Sequence, residues 1–366
     1  MYIVVDAHED IACNILGFDR NYLRSSDETR ALEINSRIPE INGDTLLGWP
    51  DYLSGCVKLI FSTLFIAPAK YETNSWGKMV YQNQHQAKKL IQSQIDTYVQ
   101  LEQEHQDKFR IIKDQSQLDH MIELWENNLD DHNNDQSAIG LIMLLEGAEA
   151  VDDIEELNKW WDSGVRIIGP VWAGTKYCGG TKRPGAFTQE GFRLLDEMSS
   201  WGYILDVSHM SERSMLEAID YYDGNIIASH ANAKNMIKNV TGERHLTDEA
   251  IKKLSKRGGV IGVIPFNKFL DEDWHRDLDR EFVKLDLLIE HIDHICQITG
   301  SDAHVGIGTD FDGGFGYPEV PYELNSIADI QLIAHYLEKK GFNDDNIKNI
   351  MGYNWIRKMK VSLPCV

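Results

Sequence analysis

Short apolar runs rich in β-branched residues alternate with longer segments of helical periodicity along the whole chain. The runs predict eight strands, at residues 2–6, 57–65, 139–145, 165–168, 203–207, 225–229, 259–264 and 305–308. Strands that alternate with amphipathic helices are typical of a parallel sheet with crossover helices. Eight such units predict an α/β fold of the (β/α)8 or TIM barrel class with rim insertions, in which functional side chains follow the carboxyl ends of the strands.

Helical periodicity predicts helices over residues 84–104, 152–161, 188–201, 248–256 and 281–300. Thr247 precedes acidic residues in the first turn of the fourth segment, which is a common N-cap arrangement. We expect rim excursions at residues 33–54 and 70–82, and a solvated loop in the Asn/Asp-rich stretch 127–137. No repeat, Pro-rich linker or break in composition divides the sequence, so residues 1–366 are expected to form a single domain.

Composition narrows the choice of partners. Hydrophobic residues make up 42% of the chain and charged residues 26%, which is ample material for a packed core. Asp and Glu number 58 against 36 Lys and Arg, giving a formal net charge of −22. Because such a field repels phosphate backbones and anionic lipid surfaces, we expect neither nucleic acid nor a membrane as a partner.

Cysteine usage and the first residues indicate the compartment. Five cysteines are too few for a disulfide scaffold in so long a chain, so reduced thiols are expected. The chain begins with a strand-like pattern and not with a signal sequence. Its longest apolar stretches, at residues 59–67 and 139–145, are shorter than the roughly 18 residues of a membrane span. We therefore expect a soluble, cytoplasmic protein.

Four of the eight strands end in residue types that bind metals. His8 and Asp10 follow the first strand, Glu146 the third, His209 the fifth and His230 the sixth. A single histidine at a strand end is usually a hydrogen-bonded structural residue, but barrel closure brings these four strand ends to one mouth. Imidazoles and carboxylates without a thiolate suit zinc, with manganese or cobalt as other occupants. Five ligands exceed one tetrahedral ion and suit two, bridged by a carboxylate, which is the arrangement of two-metal hydrolysis.

The eighth strand runs into a glycine-rich turn that contains two aspartates, Asp310 and Asp312. An Asp directly after such a strand can stand over a metal-bound water, accept its proton and deliver it to a leaving amine. The neighbouring glycines favour a turn-forming Asp as well. We predict Asp310 as the base and Asp312 as the turn residue.

These motifs recur together in one known family. They are the H-x-D at 8–10, the L-E-G around Glu146, D-V-S-H at 206–209, S-H at 229–230, G-I-G-T-D-F-D-G at 306–313 and M-G-Y-N-W at 351–355. In this combination the chain resembles the renal (membrane) dipeptidase family of zinc peptidases, which belongs to the metal-dependent hydrolase barrels. The resemblance implies a dipeptidase with two zinc ions, one held by His8 and Asp10, the other by His209 and His230, with Glu146 bridging them.

The same resemblance implies roles around the substrate, with one departure. Asp310 matches the family's proton shuttle, and Arg244 matches the arginine that holds the C-terminal carboxylate of the substrate, a task that suits a guanidinium. Relatives carry a substrate-binding histidine where this chain has Trp172, which offers one N–H donor and no titratable imidazole. Trp172 is thus a substrate-binding candidate whose preference differs from that of the family.

Three functions follow from these assignments. The first is hydrolysis of small dipeptides, with a metal-bridged water as nucleophile. The second, suggested by Trp172, is a related amidohydrolase that acts on N-acyl amino acids, cyclic amides or lactones. The third is a catalytically silent zinc-binding barrel. Trp49, Tyr52 and Leu53 are expected to provide apolar surface for a homodimer, or for a rim loop folded over the site.

Overall fold

Parallel strands form a barrel that closes on itself. The computed structural model describes residues 1–71, 77–128 and 138–365. The barrel strands are β1 (Val4–Glu9), β2 (Val57–Phe65), β3 (Ile139–Glu146), β4 (Val165–Gly169), β5 (Ile204–Asp206), β6 (Ile226–Ile227), β7 (Ile261–Val263) and β8 (Val305–Ile307). They pair in parallel in the order β7-β8-β1-β2-β3-β4-β5-β6. A parallel bridge between Ala228 and Ile261 joins β6 to β7, which confirms the predicted (β/α)8 barrel.

Alternate residues of a strand pack either inside the barrel or against the surrounding helices. Leu59 and Phe61 of β2 belong to the inner cluster, whereas Ile60 and Leu64 belong to the outer one. Residues two apart on a strand share a face, so this division follows from strand geometry. Both faces are buried, which explains why the strands appear in the sequence as continuous apolar runs.

Helices connect the strands and extend the rim. Their bounds are α1 (Ile11–Phe18), α2 (Ser26–Glu33), α3 (Ile38–Asn42), α4 (Trp49–Gly55), α5 (Gln84–Glu104), α6 (Gln115–Asn128), α7 (Leu157–Ser163), α8 (Gln189–Trp201), α9 (Glu212–Tyr221), α10 (Asp248–Lys256), α11 (Asn267–Leu270), α12 (Leu285–Thr299), α13 (Leu332–Lys340), α14 (Asp344–Lys348) and α15 (Asn354–Ser362). Two further short strands, Ala67–Pro68 and Val80–Tyr81, pair with each other, and Phe109–Ile111 pairs with the start of β3. Thr188 and Thr247 accept the N-cap hydrogen bonds of α8 and α10, the role that the sequence predicted for Thr247.

Several predicted boundaries were wrong. The segment predicted as a helix from residue 281 begins at Leu285, because a 3-10 turn (Arg280–Phe282) and two extended residues come first. Residues 127 and 128, predicted as loop, end α6, and residues 129–137 of that predicted loop lie outside the described residues. These differences lie at element ends, where hydrophobic periodicity carries little information.

The expected apolar surface on the rim is also corrected. Trp49 and Tyr52 are buried in the core, and Leu53 is half-buried. Trp49 packs edge-on against Phe109, and the Tyr52 hydroxyl donates to Glu9 Oε2 at 2.5 Å. These aromatic side chains therefore fasten α4 to the barrel and are not exposed for a second copy of the chain.

The carboxyl-terminal helix α15 covers the barrel near the amino-terminal ends of its strands. Trp355 is buried there, and its indole N–H donates to the Ile307 carbonyl at 2.9 Å. It packs edge-on against Phe61, with ring centroids 5.2 Å apart. A Cβ at Gly306 would lie 2.3 Å from the Trp355 indole nitrogen, so glycine is required for this approach. With this end filled, the carboxyl-terminal mouth is left for the site.

Candidate metal centre

The predicted metal ligands meet at the carboxyl-terminal mouth of the barrel. His8 lies near the end of β1, Glu146 is the last residue of β3, and His209 and His230 follow β5 and β6. Asp10 lies beyond β1, at the N-cap position of α1. All five side chains are buried. The structure therefore brings together residues that are up to 222 positions apart in the sequence.

Glu146 contacts the imidazole of His8 with one oxygen and those of His209 and His230 with the other. Its Oε1 lies 2.9 Å from His209 Nε2 and 3.4 Å from His230 Nε2. Its Oε2 lies 3.4 Å from His8 Nε2. Ligand atoms of Glu146, His209 and His230 lie within 4.8 Å of one another, and so do those of His8, Asp10 and Glu146. One carboxylate thus belongs to two ligand groups, an arrangement that can bridge two cations.

Hydroxyl groups orient the imidazoles from behind. Thr181 Oγ1 lies 3.1 Å from His209 Nδ1, and Ser229 Oγ lies 2.8 Å from His230 Nδ1 and 3.4 Å from His8 Nδ1. Ser229 Oγ donates its own proton to Asp206 Oδ2 at 2.5 Å, so it is able to accept from an imidazole N–H. Protonation at Nδ1 leaves the Nε2 lone pairs free to face the centre of the site.

Two buried aspartates tie the strand ends together. Asp206, the last residue of β5, accepts from Ser208 Oγ at 2.8 Å and from the Ser229 N–H at 2.9 Å. Asp6 of β1 accepts from the Thr309 N–H at 2.8 Å and also from the Thr309 hydroxyl. Both links cross between neighbouring strand ends, β5 to β6 and β1 to β8. They therefore hold the ligand-bearing turns in register.

Sequence reasoning assigned no role to these supporting residues. The signal that could have found them is a carboxylate two or three positions before a predicted ligand, as in Asp6 before His8 and Asp206 before His209. A buried carboxylate is costly unless it is hydrogen-bonded. An Asp within an apolar strand end therefore indicates a hydrogen-bonded partner across the barrel.

Burial disfavours negative charge on the ligand carboxylates. It raises the pKa of Glu146 to about 8, and burial together with the nearby charge of Glu146 raises the pKa of Asp10 to about 8. Burial lowers the pKa values of His209 and His230 well below their ordinary range. The imidazoles are therefore neutral, and the carboxylates are costly to ionise without a partner. A bound cation would stabilise the ionised carboxylates and accept the imidazole lone pairs.

Asp310 faces this cluster from the turn after β8. Its Oδ1 lies 3.8 Å from His8 Nε2, and burial raises the pKa of its carboxyl group well above the usual range. Asp310 and Asp312 both adopt left-handed backbone conformations, with φ of 59° and 62°. Asp312 is fully buried and points away into a network with Tyr22, Thr45 and Leu46. The two side chains thus point to different places, Asp310 toward the ligand cluster and Asp312 into the network with the rim segment.

Arg244 places unpaired donors beside the cluster. It is buried, and its Nη2 donates to the His230 carbonyl at 3.0 Å. Its Nε and Nη1 have no hydrogen-bond partner among the described residues. Its guanidinium lies 5.2 Å from the centroid of the Phe269 ring. A buried cation with two free N–H donors is a receptor for an anion that reaches the same cavity.

A cavity of about 320 Å³ opens over these residues. Asp10, Glu146, His209, Asp310 and Arg244 line it together with Trp172. Trp172 is half-buried, with its ring centroid 6.1 Å from that of His209. The structure therefore places every predicted site residue at one cavity or in direct contact with the residues that line it.

A closed parallel barrel with a buried imidazole and carboxylate cluster at its carboxyl mouth defines the class of metal-binding (β/α)8 barrels. Comparisons with known proteins narrow this class. The family model for membrane dipeptidase (peptidase family M19) matches residues 1–362. The chain therefore belongs to the membrane dipeptidase family, and the predicted assignment as a metallo-dipeptidase, a hydrolase, is confirmed.

Individual relatives agree with this placement. The chain is 29% identical over 236 residues to an uncharacterized protein in the pqqA 5′ region of Klebsiella pneumoniae, covering 62% of this chain and 83% of that protein. It is 30% identical over 238 residues to an uncharacterized dipeptidase of Schizosaccharomyces pombe, covering 62% of this chain and 54% of that protein. The match thus spans about half of the yeast protein.

Among solved structures, the fold is similar to that of a metallopeptidase from Rhodobacter sphaeroides liganded with a phosphinate mimic of the dipeptide L-Ala-D-Ala. The TM-score is 0.75 at 20% identity, covering 99% of this chain and 100% of the other. At this identity the likeness concerns the fold. Among the described residues, no helix is both long and apolar enough to cross a bilayer.

Proposed function

We propose that the protein hydrolyses small dipeptides at a centre that binds two zinc ions. The observation that carries the proposal is the position of Glu146, whose Oε1 faces His209 and His230 while its Oε2 faces His8. His8 and Asp10 would hold one ion, His209 and His230 the other, and Glu146 would bridge them. The donor set of imidazoles and carboxylates suits zinc.

Buried polar atoms without partners support a cation at this place. His8 Nε2 and Asp10 Oδ1 are buried and have no hydrogen-bond partner among the described residues. Such atoms cost free energy unless a ligand satisfies them. Both belong to the ligand group that contains Glu146, so an ion there would satisfy the two atoms together.

Arg244 and Asp310 would have different roles in the reaction, substrate binding and proton transfer. When bound, two zinc ions supply Lewis acidity that lowers the pKa of water and polarises a carbonyl group. Arg244 would bind the C-terminal carboxylate of the substrate through its free Nε and Nη1 groups and so place the peptide bond over the ligand cluster. Asp310, across from His8, would accept a proton from the attacking water at a carboxylate oxygen and deliver it to the departing amine.

The test combines metal content with a substrate panel. We expect two zinc ions per chain by plasma mass spectrometry and turnover of dipeptides, measured with L- and D-residues at the C-terminal position. Matched N-acetyl amino acids and lactones are the comparison substrates. Two zinc ions with turnover of the acyl compounds alone would replace this proposal by the amidohydrolase alternative that Trp172 suggests. A protein that binds no divalent metal would contradict the two-metal centre.

A further inference from the structure

Aromatic side chains line the cavity on two sides. Phe65 at the end of β2, Tyr71 after it and Trp172 after β4 form one side, which we call the first aromatic wall. The second aromatic wall consists of Phe266, Phe269 and Phe315, which follow β7 and β8. In the strand order of the barrel, β7 lies across from β3, so the two walls stand on opposite sides of the mouth.

The first wall lies beside a predicted metal ligand. Trp172 meets Phe65 edge to face, with ring centroids 5.2 Å apart and planes inclined at 67°. Its other neighbour is His209, at 6.1 Å between ring centroids. An apolar surface is therefore set next to the point where the peptide bond would be cleaved. A histidine at position 172 would present a smaller and more polar face.

The second wall lies beside Arg244. Phe266 and Phe315 stack with centroids 4.2 Å apart and planes inclined at 17°, and Phe269 meets Phe266 edge to face at 4.9 Å. The Arg244 guanidinium lies over the Phe269 ring. Stacked rings hold each other in place, so this wall is an ordered apolar surface around the carboxylate receptor.

The position of Arg244 decides which wall meets which residue of a dipeptide. With the C-terminal carboxylate on Arg244, which lies over Phe269, the side chain of the same residue would face the second wall. The peptide bond would then lie over the ligand cluster, and the N-terminal residue would extend toward Trp172 and Phe65, which lie beside His209. The cavity volume of about 320 Å³ lies at the small end of ligand sites, which fits two residues.

We propose that the preferred substrates are dipeptides with an apolar or aromatic side chain at both positions, and that the two aromatic walls select the two side chains independently. This inference rests on the proposed dipeptidase function. Its physical basis is the favourable transfer of apolar side-chain surface from water to the aromatic rings. Lys182, the other cation of the lining besides Arg244, is exposed and keeps its ammonium group in water.

The first experiment measures kcat/KM of the zinc-loaded protein for Leu-Leu, Leu-Ala, Ala-Leu and Ala-Ala. Enzyme pockets distinguish one methylene group by roughly 10- to 200-fold, so each leucine is expected to raise kcat/KM at least tenfold over alanine. Asp-Ala and Ala-Asp serve as charged comparisons. Equal rates for all side chains, or a preference for the acidic dipeptides through Lys182, would overturn the inference while leaving the dipeptidase function intact.

Variants of the two walls test their independence. Trp172→Ala is expected to bring the Leu-Ala to Ala-Ala ratio close to one while the Ala-Leu ratio persists. Phe266→Ala is expected to give the opposite result. Trp172→Phe and Phe266→Leu are matched controls that keep an apolar side chain, and thermal unfolding with metal content verifies folding. Loss of both preferences in a single-wall variant that is folded and metal-loaded would refute independent recognition.

A binding measurement separates this inference from the proposed chemistry. Phosphinate pseudodipeptides with leucine or alanine at each position are titrated into zinc-loaded protein by calorimetry. Tighter binding of each leucine analogue, lost in the corresponding wall variant, supports the two walls even when no dipeptide is turned over. Absence of dipeptide turnover would then count against the proposed function alone, whereas equal affinities for all analogues would count against the walls.

Discussion

At the scale of single residues, Asp310 is the clearest test of the proposed chemistry. Replacement by asparagine removes the carboxylate but retains a side chain that tolerates the left-handed conformation at φ 59°. We expect Asp310→Asn to keep both metal ions and to lower kcat by about 10²- to 10⁴-fold, the usual contribution of a general acid–base group. Steady-state kinetics measures kcat, and metal quantification measures the number of bound ions.

Asp19 offers a matched control for that substitution. It also has a left-handed conformation, with φ 60°, at the end of α1, but its side chain is exposed. Asp19→Asn changes the same chemical group at a comparable backbone position and is expected to leave kcat unchanged. Ordinary turnover by Asp310→Asn would remove Asp310 from the proton-transfer role, and loss of zinc would assign it to metal binding.

At the scale of elements, Asp312 links the turn after β8 to the rim segment between α1 and α4. Its Oδ1 accepts from the Leu46 N–H at 2.8 Å, and its Oδ2 accepts from the Tyr22 hydroxyl at 2.7 Å. Arg20 Nη1 lies 3.1 Å from the same oxygen and forms a buried ion pair. Arg20 also contacts both oxygens of Glu33 at 3.0 Å. The rim segment and the turn that carries Asp310 therefore share one buried anchor.

Replacing this anchor should lower both stability and turnover. Asp312→Asn removes the negative charge that faces the buried Arg20 guanidinium. It also places an amide N–H₂ group among neighbours that are themselves hydrogen-bond donors. Breaking a buried ion pair typically costs about 3–5 kcal/mol, so a large fall in the free energy of unfolding is expected, measured by urea denaturation. Tyr22→Phe, which removes one neutral donor, should cost about 1 kcal/mol. Equal stability of the Asp312→Asn and wild-type proteins would show that the network does not anchor the turn.

The elements also show how far sequence reasoning reaches. Apolar runs predicted all eight barrel strands, because both faces of a parallel barrel strand are buried. They overestimated the later strands: residues 225–229 were predicted, and only Ile226–Ile227 pair as β6. Ala228 still forms a parallel bridge to Ile261, and the chain then turns toward the site, where Ser229 donates to Asp206 and contacts His230 Nδ1. Hydrophobicity predicts burial there, but burial in a ligand cluster does not require strand pairing.

The convergence of the candidate metal ligands could be predicted more reliably than the contacts of the rim. Barrel closure alone brings the carboxyl ends of the strands to one mouth. A histidine or glutamate at such an end is therefore placed near the others whatever the details of the loops. Asp10 lies outside the regular strand that carries His8, since β1 ends at Glu9 and its pairing with β2 is irregular after Asp6. Trp49 and Tyr52 were misjudged because their burial depends on how α4 docks against the barrel, which local periodicity does not encode.

At the scale of the whole molecule, the chain carries a net charge of −22. The local electrostatic environment of the cavity differs from this global charge. The global charge argued against nucleic acid and anionic membranes as partners. At the cavity, by contrast, burial keeps carboxylates costly to ionise, and Arg244 provides a positive charge with free donors. A substrate with a carboxylate can therefore bind to a strongly acidic protein, because the receptor for that carboxylate is local and desolvated.

The buried carboxylates also predict different pH dependences of stability for the metal-free and zinc-loaded proteins. In the folded metal-free state, the pKa values of Glu146 and Asp10 are each about 8, far above those of an unfolded chain. Between pH 6.5 and 8 the folded state therefore binds more protons than the unfolded state, so its stability falls as pH rises, by up to about 1.4 kcal/mol per pH unit for each group. The window begins at the ordinary pKa of histidine, so proton uptake by His209 and His230 in the unfolded state offsets part of the trend near pH 6.5 and little of it toward pH 8.

Zinc competes with those protons, so it should bind more tightly as pH rises toward 8. We expect the unfolding temperature of chelator-treated protein to fall between pH 6.5 and 8, and the gap to the zinc-loaded protein to widen over the same range. Calorimetric titration of zinc in two buffers of different ionisation enthalpy should detect proton release that diminishes above pH 8. Glu146→Gln removes one of the titrating groups and should flatten the metal-free pH dependence. Parallel pH profiles of the metal-free and zinc-loaded forms would mean that zinc does not displace protons from this cluster.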